Sequence, residues 1–399
     1  MIKELPVVMF CMLALPWMIS RFLRAESLIP LVFVQLILGM FIQISGLGVW
    51  LETRNFDLQQ GALAQALQGM GSFAILVLVA FAGAEISSTD TTTAKVSFVR
   101  VSVTGFFATL ICGTALGSYL FNTFPELVGH RAGHLIFSLA IGLSLSVTAL
   151  PVLLAVIQQS PNIRPHTKLL ALRSAVLDDV WLWLFMALIL SLANEEQSMS
   201  NIVLALILYL LSAWFVFKPV LAQLLRKFQI TRQTDLMLIS ICVVLGSSML
   251  TDLMGLHHFL GAFLGGAILP TTATSAWRPA LLESVQTLLL PIFFILTGMR
   301  LTVDLTDAFL WQLAAVFTCF AIFVKCASVA LTCRFSGTAW TEGLLLGVLM
   351  QCKGLMELVA INALFEAGII EQDVFSALAM MAIACTLITV PCVNFLTRK

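Results

Sequence analysis

The sequence predicts an all-α polytopic membrane protein of about 13 transmembrane helices, built as inverted repeats with two interrupted helices that cross. Its composition points away from a soluble protein, because 60% of the 399 residues are hydrophobic and 11% are charged, against about 25% charged residues in soluble domains. Apolar segments of about 20 residues, the length that crosses a bilayer, recur along the chain with short connections between them. Two of these segments are interrupted near mid-span, which is typical of secondary transporters.

The composition also excludes several classes of partner. A formal net charge of zero argues against a nucleic-acid partner. The nine cysteines are scattered through apolar segments without a CxxC pair, so we expect neither a disulfide framework nor a zinc site. No resident cofactor is predicted, and we do not expect an enzyme.

The apolar segments define the elements in order. The first begins at the N-terminus and is interpreted as a membrane helix rather than a cleaved signal peptide. We expect a single transmembrane domain over residues 1–399, with a first repeat at about 1–195, a linker helix at about 200–226, a second repeat at about 233–397 and no soluble regulatory domain. The thirteen segments centre near residues 13, 37, 76, 110, 145, 179, 212, 242, 263, 290, 319, 354 and 384.

Lysine and arginine in the connections predict the orientation, since positive residues concentrate on the cytoplasmic side. The poorer set of loops holds Lys3, Arg54, Arg131 and Arg300, so the N-terminus is predicted outside and the C-terminus in the cytoplasm, in a bacterial inner membrane. The alternate, richer loops hold Arg21, Arg24, Lys95, Arg164, Lys168, Arg226, Lys227, Arg232, Arg278, Arg334, Arg398 and Lys399.

A faint internal repeat supports inverted topology. Ala74–Ser87 ends the third segment and Leu290–Thr302 ends the tenth; each is an apolar run that closes on a glycine, Gly83 and Gly298. Seven segments separate the two copies. Because seven is odd, the copies run in opposite directions across the membrane.

The first interruption lies in the fifth segment, beside two acids in the sixth. Pro151 follows Ser146-Val147-Thr148-Ala149-Leu150, and proline breaks a helix because it lacks an N–H and clashes with the preceding turn. Asp178 and Asp179 lie within a long apolar run. A charge near the bilayer centre costs roughly 2.5–3.5 kcal/mol on insertion scales, which favours a functional acid pair.

The second interruption, Gln351-Cys352-Lys353-Gly354, is in the corresponding twelfth segment. The half-helix ends that meet there carry partial charges, and we expect Lys353 to offset the C-terminal ends in the twelfth helix. The hydroxyls of Ser146 and Thr148 have two open roles, local capping of freed backbone groups and direct ligation of an ion.

Consecutive residues on a helix point about 100° apart, so Asp178 and Asp179 cannot face the same neighbour. One can meet an ion while the other takes a fixed partner. Buried together, they titrate as a coupled pair. A carboxylate that holds either a proton or a cation, but not both, provides an exchange mechanism.

Other ionisable residues have alternative interpretations. Lys325, in the eleventh segment, either snorkels to the cytoplasmic headgroups or pairs with a buried aspartate. Glu85 and Glu357 stand at the edges of apolar runs and are secondary candidates, structural rather than ligating. The histidines are expected near helix ends, where residence at the surface is favoured over a role in sensing pH, at positions 130, 134, 166, 257 and 258.

Five motifs together resemble the monovalent cation:proton antiporter-2 family of sodium/proton exchangers. They cover essentially the whole chain in the family's order: Ser146–Leu153, Ser174–Leu184, Gly255–Pro270, Leu288–Leu301 and Gly354–Asn362. The resemblance implies a homodimer in which a mobile six-helix core moves like an elevator against a dimer-forming panel. Such an exchanger serves pH homeostasis.

The resemblance also implies roles at the site. Asp179 would be the main carrier of the ion and proton, and Asp178 the acid typical of electrogenic members, with Lys325 as its counter-charge. Thr148 and the backbone near Ala149 would complete the oxygen shell of Na⁺, or of K⁺ or Li⁺. Trp181, Trp183 and Lys353 depart from the family's pattern and leave the preferred cation open.

Three other functions are alternatives to the exchanger. A sodium-coupled symporter of an organic anion would need a larger cavity on a related fold. A non-transporting sensor could retain the acid pair. An intramembrane aspartyl protease needs acids that converge from different elements to share a proton, and adjacent residues on one helix do not provide this.

Overall fold

The computed structural model describes residues 4–22, 31–52, 58, 61–86, 97–160, 162–193, 199–270, 278–301 and 306–397. These ranges are almost entirely α-helical, with a short 3₁₀ turn at Pro125–Leu127 and a π-helical turn at Ala213–Phe217 that joins α9 to α10. The helices are α1 (Leu5–Phe22), α2 (Leu31–Ile44), α3 (Leu47–Glu52), α4 (Gly61–Ile86), α5 (Phe98–Thr123), α6 (His134–Ser146), α7 (Leu150–Gln159), α8 (Pro165–Leu192), α9 (Met199–Ser212), α10 (Lys218–Lys227), α11 (Gln233–Leu253), α12 (His258–Ala267), α13 (Arg278–Leu288), α14 (Leu290–Met299), α15 (Ala308–Phe335), α16 (Trp340–Leu349), α17 (Leu355–Glu366) and α18 (Gln372–Thr397).

The predicted membrane protein is confirmed, and each of the thirteen apolar segments coincides with helix. Among the described residues, nine helical stretches are long and apolar enough to cross a membrane. Four shorter apolar helices, α2, α6, α12 and α16, coincide with the other four segments. The interrupted segments consist of two half-helices each, which is why α6 and α16 fall below the usual spanning length.

Both predicted interruptions are confirmed. Between α6 and α7 the chain is extended at Val147 and Ala149. Pro151 then lies in the first turn of α7, where its missing N–H removes no intrahelical bond. The second interruption separates α16 from α17 and ends at Gly354, whose backbone is extended with φ 170°.

The helices pack as two groups. The core group consists of α5–α8 and α15–α18, in which α5 packs along α6 and α15, and α15 packs on α16 and α18. The panel group consists of α1, α2, α4 and α11–α14, in which α2 packs on α14 and α4 on α12. The helix that carries the two aspartates, α8, contacts α4 and α12. The acid pair is therefore on the core helix that faces the panel group.

The panel group contains a close glycine contact between α4 and α12. A Cβ built on Gly83 would lie 1.8 Å from the carbonyl oxygen of Phe263, and one built on Gly266 would lie 1.8 Å from that of Ala80. No side chain fits at either position. The two backbones therefore touch directly.

The same contact recurs between α2 and α14. A Cβ on Gly39 would lie 2.1 Å from the carbonyl oxygen of Ile295, and one on Gly298 would lie 2.1 Å from that of Leu36. In each pair the blocking carbonyl is three residues before the partner glycine. Gly83 and Gly298 thus occupy equivalent places in the two copies, as the inverted repeat predicts. The boundaries proposed for the repeats and the linker helix stay a prediction.

Candidate ion-binding site

The two interruptions meet in the core group through backbone contacts. The amide of Ala149 donates to the carbonyl of Cys352 at 2.7 Å. Ala149 belongs to the first interruption and Cys352 to the second, so each extended segment pairs a polar group that its own helix leaves free. Such pairing is needed inside a membrane, where an unsatisfied backbone group costs several kcal/mol.

Asp178 has fixed partners on three other elements. Its Oδ1 accepts from the Ser102 hydroxyl at 2.6 Å. Its Oδ2 lies 2.7 Å from the Thr148 hydroxyl and 2.9 Å from the Lys325 ammonium. All four side chains are buried. Asp178 therefore takes the fixed-partner role that the sequence expects of one acid.

Around the Thr148 hydroxyl, acceptor oxygens are in excess of donor protons. Its hydroxyl oxygen is 2.7 Å from Asp178 Oδ2 and also 2.7 Å from the carbonyl oxygen of Met350. A hydroxyl has one proton and cannot donate fully to both oxygens. A proton on the carboxylate or a cation among these three oxygens would resolve the excess.

Two buried lysines balance the end of α6. The Lys325 ammonium donates to the carbonyl of Ser146 as well as to Asp178. The Lys353 ammonium donates to the carbonyls of Ser144 and Leu145, at 3.1 and 2.9 Å. These carbonyls are the free C-terminal acceptors of a half-helix, which favour positive charge. Both lysines are completely buried.

The contacts of the two lysines answer one question that the sequence left open and contradict one prediction. Lys325 pairs with Asp178 and does not snorkel to the headgroups. Lys353 was expected to offset the C-terminal ends of its own twelfth segment, and this was wrong, because its ammonium contacts the end of α6 in the fifth segment. The side chain reaches across the crossing because the two interruptions lie side by side.

The other predicted site residues have different environments. Asp179 is 1% exposed and follows Asp178 on α8. The Ser146 hydroxyl donates to the carbonyl of Leu143 at 2.9 Å, so it has the local capping role, and only its carbonyl faces Lys325. Glu357 is completely buried, with Oε1 3.4 Å from the Lys353 ammonium. The side chain of Glu85 lies outside the described residues.

Ser102 and a polar cluster at the C-terminal end of α14 are not predicted by the sequence. Ser102 has no distinguishing signal, because a single serine in an apolar helix is common. Arg300, at the end of α14, donates to Asn362 at 3.0 Å and to Glu366 on α17, and its carbonyl accepts from Gln372 on α18. This cluster links the panel group to the core group at the predicted outer face.

A polar cavity of about 320 Å³ lies beside this cluster. Its lining includes His257 and His258, whose rings stack with centroids 4.2 Å apart, and Asn362 and Glu366. Burial, and next the neighbouring His258, lower the pKa of His257 to about 3, so this histidine is neutral at physiological pH. These two histidines are partly buried against the cavity rather than on the open surface.

Comparison with known proteins identifies the family of this chain. A profile of the family described as "Sodium/hydrogen exchanger, transmembrane" matches residues 8–399. The chain belongs to this family. The resemblance to cation:proton antiporters predicted from its motifs is thereby confirmed.

Two relatives illustrate the relationship. The chain is 31% identical to a K⁺/H⁺ antiporter of Saccharomyces cerevisiae over 70% of its own length and 33% of the yeast protein. It is 29% identical to the Na⁺/H⁺ antiporter NhaS4 of Synechocystis over 75% of its length and 74% of that protein. The chain thus spans about a third of the yeast relative.

A solved structure shares the fold. The sodium/proton antiporter NhaP1 of Methanocaldococcus jannaschii superposes with a TM-score of 0.61 at 12% identity, covering 98% of this chain and 97% of that one. At this identity the similarity concerns the fold. It supports the overall arrangement of the helices.

Proposed function

We propose that this protein is a secondary active transporter that exchanges protons for a monovalent cation, with Na⁺ as the proposed substrate and K⁺ or Li⁺ as alternatives. The observation that carries the proposal is the buried acid pair at the crossing. Asp178 is held by three donors, while the adjacent Asp179 is buried on the same helix. Relatives named for Na⁺/H⁺ and K⁺/H⁺ exchange support the class of reaction.

The proposed chemistry is competition for one negative charge. Asp179 binds either the cation or a proton, and Asp178 and the Thr148 hydroxyl supply further oxygens to the cation. Oxygen ligands suit hard cations such as Na⁺. Bound cation therefore expels the proton, and bound proton expels the cation. A single site of this kind couples the two gradients without a further chemical step.

The proposed movement is of the elevator type. The core group carries the crossing and the acids, and the panel group, joined by its direct glycine contacts, would form the static surface and the homodimer interface. We further propose electrogenic exchange, a function in pH homeostasis, a bacterial inner membrane, and an N-terminus outside with a cytoplasmic C-terminus. The protein is proposed not to be an enzyme.

The test is cation-driven proton movement in proteoliposomes containing a pH dye. Na⁺, K⁺ and Li⁺ are added in turn to the wild type and to Asp179→Asn. We expect exchange in the wild type and none in the variant. Asp235→Asn is the matched control, because Asp235 is an exposed acid in the first turn of α11 and should have no effect on exchange.

Two results would contradict the proposal. Exchange by a correctly folded Asp179→Asn would remove Asp179 as the carrier. Failure of every cation to move protons in the wild type across a broad pH range would remove the antiporter function. Uptake of an organic anion with Na⁺ in that case would establish the symporter alternative.

A further inference from the structure

Glu357 is a buried carboxylate that the acid-pair mechanism does not use. It lies in the first turn of α17, directly after the second interruption, and is completely buried. Neither of its oxygens accepts a hydrogen bond from the described part of the chain. Its closest charged group is the Lys353 ammonium, 3.4 Å from Oε1.

The contrast with Asp178 is clear. Asp178 accepts two hydroxyl hydrogen bonds and lies 2.9 Å from the Lys325 ammonium. Glu357 has one lysine, which already donates to two backbone carbonyls. A buried carboxylate pays a large desolvation cost when ionised unless hydrogen bonds compensate. Fewer donors are therefore available to a negative charge on Glu357 than to one on Asp178.

Other contacts keep the ionised form accessible. The positive end of a helix dipole favours an anion in the first turn, and Glu357 occupies that turn of α17. The charged and titratable groups that face it are Lys353 beside it, Lys325 on α15 and Cys385 on α18. Opposing effects of this kind allow a side chain to gain and lose a proton as nearby charges change.

The buried charges give the net charge of each loaded state. Three carboxylates, of Asp178, Asp179 and Glu357, and two ammonium groups, of Lys325 and Lys353, leave one net negative charge when all are ionised. One bound cation brings the cluster to zero. Protons on both Asp179 and Glu357 bring it to one positive charge, so the two loaded states then differ by one charge.

We propose that Glu357 is the second proton-binding site of the exchanger and carries the second proton of an exchange of two protons for one cation. The first proton is on Asp179. Lys325 is not the second proton carrier in this proposal, and it stays paired with Asp178 and the carbonyl of Ser146. The proposal rests on the exchange function proposed above and names the group that makes the exchange electrogenic.

The test is the stoichiometry of reconstituted Glu357→Gln. The cation gradient at which net flux stops is measured at several imposed voltages. In the wild type this gradient should depend on voltage. In Glu357→Gln only one proton remains per cation, so exchange should continue but the dependence on voltage should vanish. Glu357→Asp retains a titratable group and should stay voltage-dependent.

Charge balance predicts a second readout. Without the negative charge of residue 357, bound cation leaves one positive charge in the cluster, and the apparent cation affinity should fall roughly tenfold for a unit charge at about 10 Å. Adding Lys353→Gln to Glu357→Gln removes that excess charge. The double variant should recover the affinity but remain independent of voltage, which loss of packing alone does not predict.

The outcomes separate the two proposals. A wild type without cation-driven proton movement overturns the exchange function. A wild type that exchanges without voltage dependence, or a Glu357→Gln protein that remains voltage-dependent, overturns only the role of Glu357. If the single variant does not reach the membrane, the double variant decides, since persistent voltage dependence there contradicts the proposal equally.

Discussion

Replacing Lys325 by methionine should destabilise the protein strongly, because it leaves the Asp178 charge buried without its cation. Breaking a buried ion pair costs about 3–5 kcal/mol. The two hydroxyl donors that remain on Asp178 place the expected cost near the lower end, about 3 kcal/mol. The carbonyl of Ser146 also loses its donor, which adds about 1 kcal/mol.

The double variant Lys325→Met with Asp178→Asn separates the charge effect from lost packing. Its buried amide is neutral and can still bond to Ser102 and Thr148, so most of the loss should be recovered. A coupling energy of about 2–3 kcal/mol is expected from this cycle. Lys227→Met is the control, because Lys227 is exposed at the end of α10 and should be neutral.

Thermal unfolding of the detergent-solubilised protein measures these differences. With about 2 °C per kcal/mol, the single variant should unfold about 8 °C below the wild type. The double variant should fall between them. A Lys325→Met protein as stable as the wild type, or a double variant as unstable as the single one, would refute the buried ion pair as the source of stability.

Three further predictions follow from the contacts. Thr148→Val removes the hydroxyl beside Asp178 and should raise the apparent KM for the cation about 10- to 100-fold. Thr148→Ser retains a hydroxyl and should restore the KM. An unchanged KM in the valine variant would contradict the role of the hydroxyl in cation binding. Gly266→Ala places a methyl group 1.8 Å from the carbonyl oxygen of Ala80 and should abolish folded protein in size-exclusion profiles. Gly246→Ala is the control, because its methyl group meets no atom within 4 Å and should be tolerated. Equal yields of the two variants would contradict the close contact. Arg300→Gln removes the ion pair that links the panel group to the core group. It should raise the turnover rate by up to about fivefold, the rate change that corresponds to the free energy of an exposed ion pair. Slower turnover would contradict the idea that this ion pair restrains the movement.

Much of the architecture could be predicted because lipid imposes simple rules. An apolar segment in lipid has to be helical to pair its backbone groups, so the apolar segments located the described helices that are long and apolar enough to cross a membrane. Pro151 and the Gln351–Gly354 run revealed the interruptions because they break the apolar pattern at mid-span. The repeat was visible because Gly83 and Gly298 admit no side chain.

Contacts between distant segments could not be predicted in the same way. Lys353 was assigned to its own segment, but the relative depth of the two interruptions decides which carbonyls it reaches. Ser102 was missed because its importance comes from α5 packing beside α8. The sequence left the role of Ser146 open, and only the local geometry of α6 shows that its hydroxyl caps the backbone.

The backbone bond from Ala149 to Cys352 bears on how this protein is made. Its donor is in the first half of the chain and its acceptor in the second. During synthesis the first interrupted helix enters the bilayer before the residues that complete its backbone pairing exist. Until α16 and α17 follow, its free groups need water or a chaperone, since hydrocarbon offers no partner. The finished membrane structure therefore depends on the second half of the chain to complete the backbone pairing of the first half.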